Sequence, residues 1–136
     1  MNGIEMSFDL PTAKEFVDLR VLAGMTARSV EGARQGLPHS NCMVTLRKDK
    51  LLIGMGRIIG DGATTFQIAD IVVHPDHQGK GLGKTIMTEL MKWLEENASP
   101  QSYVSLLADG DAKFLYEAFG FVESAPYTVG MQQFLE

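Results

Sequence analysis

Residues 78–84 read Gln-Gly-Lys-Gly-Leu-Gly-Lys, and Gly79, Gly81 and Gly83 alternate there with Lys80 and Leu82. Glycines let a backbone turn tightly with its N–H groups facing outward. An apolar-periodic run begins at Leu82, so the turn falls at a helix start, where unsatisfied donors and the helix dipole attract phosphate oxygens. Lys80 and Lys84 add local positive charge. Two familiar phosphate loops fail on spacing. Reading back from Gly83-Lys84-Thr85 puts Gln78 where a P-loop needs its first glycine. A dinucleotide fingerprint needs G-x-G-x-x-G at the first strand-helix turn, whereas here the glycines alternate and lie in the second half of the chain. What survives is Gln78-x-x-Gly81-x-Gly83, and a pyrophosphate is the ligand that best matches its consecutive amides. A glycine-rich helix start that holds nothing is the plain alternative.

The elements around this loop can be read from periodicity. Residues 4–9 alternate like a short strand, and Pro11 and Thr12 open a helix with Phe16, Val17, Leu19, Arg20 and Ala23 at helical spacing. A polar second helix is expected over 27–35, then strands at 41–47 and 51–59 around the Lys-Asp-Lys turn. A third strand is expected over 65–73. Its end, Asp70-Ile71-Val72-Val73, runs apolar residues together as in a strand covered on both faces. From 82 to 96 the apolar positions 82, 86, 87, 90, 91 and 94 make one stripe of an amphipathic helix. A buried strand over 103–108, a helix over 111–119 capped by Asp111 and ended by Gly120, and closing strands at 121–123 and 130–135 complete the chain. The order βααβββαβαββ gives an α/β or α+β class with a single mixed central sheet.

At 136 residues and 45% hydrophobic, the chain fits one domain over 1–136. A net charge of -5 argues against nucleic acid as a partner and confines any basic site to a local one. The single Cys42 cannot form an internal disulfide, and no Cys/His cluster has metal spacing, so a reduced, cytoplasmic setting without a metal is expected. No run approaches the roughly 18 apolar residues of a membrane span, and no membrane partner is expected.

The stretch Asp-Ile-Val-Val-His-Pro-Asp-His-Gln-Gly-Lys-Gly-Leu-Gly-Lys-Thr-Ile-Met-Thr-Glu-Leu (70–90) resembles motif A of the GCN5-related N-acetyltransferases, whose Gln/Arg-x-x-Gly-x-Gly/Ala loop holds the pyrophosphate and pantetheine of acetyl-CoA. Downstream, residues 109–123 resemble the family's motif B, with Ala112, Tyr116, Gly120 and Phe121 in register. Asp109 departs from it, standing where the family often has Asn, and a carboxylate lacks the amide's donors to a pantetheine carbonyl. In order and at a plausible separation, the two motifs span roughly the half of the chain from residue 65 to 122.

The resemblance implies acetyl-CoA as cosubstrate and acetyl transfer to a primary amine of a small molecule or peptide, directly in a ternary complex. A noncatalytic acyl-CoA sensor with the same fold is the alternative. It implies that Ile71, Val72 and Val73 present backbone groups to pantetheine and the thioester oxygen, and that residues Gln78, Gly79, Lys80, Gly81, Leu82, Gly83 and Lys84 hold the pyrophosphate. Asp109 and Tyr116 join the coenzyme's binding residues. Tyr116 is the expected general acid toward the departing thiolate, although the helical face it shares with Ala112, Leu115 and Phe119 equally suits a core tyrosine. Asp70, on the side-chain parity of Val72, is the candidate base, or a partner of the substrate's cation, or a structural hydrogen-bonding group. His74, His77 and His39 are weaker candidates for the base. Arg28, Arg34 and Arg57 are candidate contacts to an acceptor carboxylate or phosphate, while the acidic balance leans toward a cationic acceptor. A homodimer is expected to use a strand edge at 130–135.

Overall fold

The structure, a computed structural model, describes residues 3–136. They fall into two compact units, one running through Leu106 and one of Leu107–Glu136.

The first unit is built on one sheet. Its elements in chain order are β1 (Ile4–Ser7), α1 (Ala13–Leu22), α2 (Val30–Gly36), β2 (Cys42–Lys48), β3 (Leu51–Gly60), β4 (Thr65–Val73), α3 (Leu82–Asn97) and β5 (Tyr103–Ser105). Spatial order follows sequence order, β1-β2-β3-β4-β5. The first three pairings are antiparallel, β2–β3 and β3–β4 through short turns and β1–β2 across the segment that holds α1 and α2, and β4 pairs β5 in parallel because α3 carries the chain back across.

Both faces of the sheet are covered. Phe16, Val17 and Leu19 of α1 pack with Ala33, Leu37, Met43, Leu52, Met55 and Val72 in one core cluster. Gly56, the next residue along β3, faces the other way. A Cβ built on it would stand 2.5 Å from the Ile71 side chain and 2.6 Å from Ile86 of α3, so only glycine lets that helix approach. The stripe on α3 is the expected one, with Leu82, Ile86, Met87, Leu90 and Leu94 buried. Phe66 and Trp93 meet edge to face at 5.8 Å.

Helix α1 starts where Thr12 and Glu15 form a capping box, Thr12 Oγ1 accepting from the Glu15 N–H at 3.1 Å and Glu15 accepting from the Thr12 N–H at 2.9 Å. Glu15 also accepts two bonds from Arg47 of β2, at 2.6 and 2.9 Å, tying the helix to the sheet.

In the second unit, α4 (Ala112–Glu117) follows Asp111, whose side chain makes no cap bond. The expected strands at 121–123 and 130–135 are not formed among the described residues, nor does β5 extend past Ser105. A strand requires a partner edge for its N–H and C=O groups. Residues 122–135 have none, their apolar side chains stand exposed, Val122 at 86% and Leu135 at 90%, and Pro126 lacks a donor.

The Glu15 bonds predict a pH dependence. The Arg47 guanidinium holds the Glu15 carboxyl down at about 2, so its contribution is fully present above the ordinary value of 4.5 and is lost as pH falls toward about 2. Glu15→Gln is expected to cost about 1 kcal/mol at neutral pH after solvent screening. Urea unfolding of the two proteins should converge on acidification.

Candidate functional site

Strand β4 is irregular where the site is expected. Arg57 of β3 pairs with Ala69 and Met55 pairs with Val72, so Asp70 and Ile71 together oppose Gly56. That is a β-bulge. Asp70 lies within it at φ +58°, a left-handed conformation that Asp tolerates better than most residues and that surrounding structure must hold.

The holding groups are two arginines. Arg20 Nη1 of α1 donates to Asp70 Oδ1, and Arg57 Nε donates to Asp70 Oδ2 at 2.7 Å. The side chains of Arg20 and Asp70 are only 3% and 7% exposed. Arg20 is fixed further by donating to the Thr26 carbonyl and to Thr26 Oγ1, each at 3.1 Å. Burial pushes the Arg20 guanidinium below its ordinary value, Asp70 draws it back up, and the like charges of Arg28 and Arg57 press it down.

The second feature is an open strand edge. β5 pairs β4 only from Thr65↔Tyr103 to Gln67↔Ser105. Beyond that point β4 has β3 on one side and, among the described residues, no strand on the other. Backbone groups of Ile71, Val72 and Val73 on that side can pair with an extended ligand as a further strand would.

The loop is third. His74 caps a 3-10 turn (Pro75–His77), its Nδ1 accepting from the Asp76 N–H at 3.0 Å. Gln78 Nε2 turns back and donates to the Val73 carbonyl at 3.0 Å, fastening the loop to the end of β4. Gly79 and Gly81 take φ +78° and +79° with nothing within 4 Å of a built Cβ, so conformation rather than packing demands glycine and the space above them is open. Gly81 is the N-cap of α3 and supplies no side-chain bond, and the first helical bond joins the Thr85 N–H to the Gly81 carbonyl at 3.1 Å. The N–H groups of Leu82, Gly83 and Lys84 precede that bond. Lys80 and Lys84 are exposed, and neither has an ion-pair partner within 4 Å among the described residues. An extended chain with a diphosphate at one end fits such a strip: open strand edge, open glycine turn, helix N-terminus.

The same stretch of chain matches known proteins. Residues 38–123 match the family model described as an acetyltransferase (GNAT) domain, across both units. The chain belongs to the GNAT acetyltransferases. An uncharacterized N-acetyltransferase, ycf52, of Porphyra purpurea is 32% identical over 112 residues, which cover 79% of this chain and 63% of that protein. The [ribosomal protein bS18]-alanine N-acetyltransferase of Escherichia coli K12 is 29% identical, over 85% of this chain and 76% of its own length. A crystal structure from meticillin-resistant Staphylococcus aureus, of a protein of unknown function named a probable acetyltransferase, superposes with a TM-score of 0.94 at 42% identity, covering 97% of this chain and 99% of that one. The chain thus spans about two thirds or less of the length of the algal relatives it matches.

Within this GNAT domain, the expected site residues of the first unit fall on one continuous path. Ile71, Val72 and Val73 lie on the open edge, and 78–84 form the turn that follows it. Of the three parts open to Asp70, the geometry matches that of a structural hydrogen-bonding group. With both oxygens accepting from guanidinium groups, it is a positioning residue for the bulge rather than a free base. Arg34 is taken up by Glu31 on the exposed face of α2. His39 lies in a second 3-10 turn (Leu37–His39). Burial, with the charge of Glu89, pushes the buried Cys42 thiol up to about 11, which leaves no thiolate for an acyl-enzyme route at neutral pH.

In the second unit Tyr116 is 8% exposed, and burial, followed by the charge of Asp109, raises its phenol above the ordinary value of 10. Asp109 itself is exposed, its carbonyl accepting from the Ala112 N–H at 3.0 Å.

Sequence reasoning missed Arg20. The signal was present, since Arg20 shares helical spacing with Phe16, Val17 and Leu19, and a cation on an apolar stripe demands a buried anion. Asp70→Asn, which leaves two arginines facing a neutral amide, should cost about 3 kcal/mol in denaturant unfolding. A loss below about 1 kcal/mol would mean the pair behaves as a surface one.

Proposed function

We propose that this GNAT domain transfers the acetyl group of acetyl-CoA directly to a primary amine of a small molecule or peptide. The observation that carries this is the continuity of the open β4 edge with the glycine turn and the uncapped start of α3. In this reading the amides of 79–84 bind the diphosphate, Lys80 and Lys84 supply charge, and the backbone of 71–73 binds the pantetheine arm. When bound, acetyl-CoA supplies an acetyl group activated as a thioester.

The chain's own groups then have three tasks. A backbone N–H of 71–73, fixed by the bulge, donates to the carbonyl oxygen as negative charge gathers there. Preorganised donors of this kind contribute about 3 to 4 kcal/mol to lowering a barrier. Tyr116 donates its phenolic proton to the leaving sulfur, and its raised value keeps that proton in place through neutral pH. The amine must arrive neutral. With Asp70 occupied, the proton that the amine nitrogen sheds as the C–N bond forms and the C–S bond breaks passes to water, and water returns one to the Tyr116 phenolate.

The peptide side of the acceptor class draws support from the Escherichia coli relative, which is named for an alanine of a ribosomal protein. We place the activity in the cytoplasm, since the single free Cys42 suits a reducing compartment. Pairing of two copies through a strand at 130–135 loses its edge, because that strand is not formed. The exposed side chains of Tyr127, Met131 and Leu135 support a homodimer through this segment in another form.

Two outcomes follow. Gly81→Ala forces a β-carbon into a left-handed conformation at a cost of about 1 to 2 kcal/mol, so affinity for acetyl-CoA by calorimetry should fall roughly 5- to 30-fold with helix content unchanged. Tyr116→Phe should lower acceptor-dependent release of CoA thiol and remove an alkaline limb lying above pH about 10. Unchanged turnover in that variant would dismiss the acid role, and tight acetyl-CoA binding without any acceptor-dependent thiol would favour a noncatalytic sensor.

A further inference from the structure

The charges around the β4 bulge do not balance. Arg20, Arg28 and Arg57 are brought together by shared partners. Arg20 and Arg57 bind the two oxygens of Asp70, while Arg20 and Arg28 donate to the same Thr26 Oγ1, at 3.1 and 2.7 Å. Among the described residues no other carboxylate lies within 4 Å of any of the three. Two guanidinium groups therefore share one carboxylate, and the third, Arg28, joins Arg20 through Thr26 Oγ1 with no carboxylate of its own within 4 Å among the described residues.

A surplus of positive charge beside a buried ion pair is costly unless something neutralises it. The surplus here is also held in place. Arg57 Nη1 donates to Ser40 Oγ at 3.2 Å and the guanidinium sits over the Phe16 ring at 5.5 Å, leaving Nη2 without a partner among the described residues. Its side chain is 19% exposed, so the free end reaches solvent. Arg28 is exposed, and its recorded bonds, to Thr26 Oγ1 and the Ala27 carbonyl, both come from Nη1. Two preorganised guanidinium groups with unspent donors match a planar carboxylate or a phosphate better than any neutral group.

Position decides what that anion belongs to. The cluster is anchored by Asp70, directly before the backbone of 71–73. The diphosphate is assigned to the turn beyond the far end of the strand. We infer that Arg57 and Arg28, braced by the Arg20–Asp70 pair, recognise an anionic group, carboxylate or phosphate, carried by the acceptor amine. This rests on the acetyl-transfer reading, and it sets a local preference against the weak lean toward a cationic acceptor given by the net charge of -5.

The test pairs amines that differ only in the anion, lysine against cadaverine and phosphoethanolamine against ethylamine, and reads acceptor-dependent thiol release. The anionic member of at least one pair is expected to win by about tenfold or more in kcat/KM. The winning pair tells carboxylate from phosphate. Arg28→Gln should shrink the preference severalfold through KM with acetyl-CoA affinity unchanged, and Arg57→Gln, which also loosens Asp70 in the bulge, is read for the loss of preference alone. The exposed Arg28 keeps the test valid should Arg57→Gln fold poorly. Equal rates within both pairs, or a preference that survives both substitutions, overturn the inference while leaving acetyl transfer intact.

If no amine in the panel is acetylated, the failure falls on the transfer reading. The anion site is then judged by titrating the CoA-saturated protein with inorganic phosphate and with acetate at fixed ionic strength. Saturable shifts of the Arg57 Nε–H resonance that weaken in Arg28→Gln support it, and flat titrations overturn it. Where amines are acetylated at equal rates within both pairs, saturable phosphate binding means an adventitious ion only, and the inference is overturned.

Discussion

The carboxylate of Asp70, gripped from two sides by Arg20 and Arg57, is the interaction on which the site depends. It joins α1 to the central strands and holds a non-glycine residue at positive φ inside a bulge. A bulge bends a strand and sharpens its twist. In β4 it follows the point where pairing with β5 stops, so one local irregularity and one open edge occur on the same few residues. Regular pairing there would have left no backbone for a ligand.

The remaining parts serve this arrangement at lower cost. Gly56 clears the space for Ile71 and Ile86 across the bulge, allowing α3 to lie close against the sheet. Gln78 fastens the turn to Val73, so the strand's end and the start of α3 are held in a fixed relation. Gly79 and Gly81 carry the turn through two left-handed residues with open space above them. Apart from the Gln78 side-chain bond these are backbone solutions, which is why the site's side chains can be so plain: lysines, a glutamine and a leucine.

Much of this was legible from sequence wherever the pattern is strong and local. The bounds of β4 and the stripe of α3 come from periodicity, and the turn between them from glycine spacing. The bulge was not legible, because two residues opposing one leaves no trace in composition and the apolar run from Ile71 to Val73 reads equally as a regular buried strand. Nor was the partner of Asp70, since the Arg20 contact spans fifty positions of chain. Residues 121–123 and 130–135 show the converse error. Their alternation is that of a strand, yet pairing is a property of two segments and one segment cannot announce it. Motif resemblance reached furthest for the glycine turn, whose backbone shape only glycine permits, and least for the arginine cluster, whose members come from separate elements.

The most direct test of the central claim is a crystal structure of the protein with bound acetyl-CoA. The account predicts the diphosphate on the amides of 79–84 and the pantetheine arm laid along 71–73 as an added strand, with Asp70 still held by both arginines. A coenzyme bound elsewhere, or a turn whose amides stay turned away from it, would contradict the account at its root.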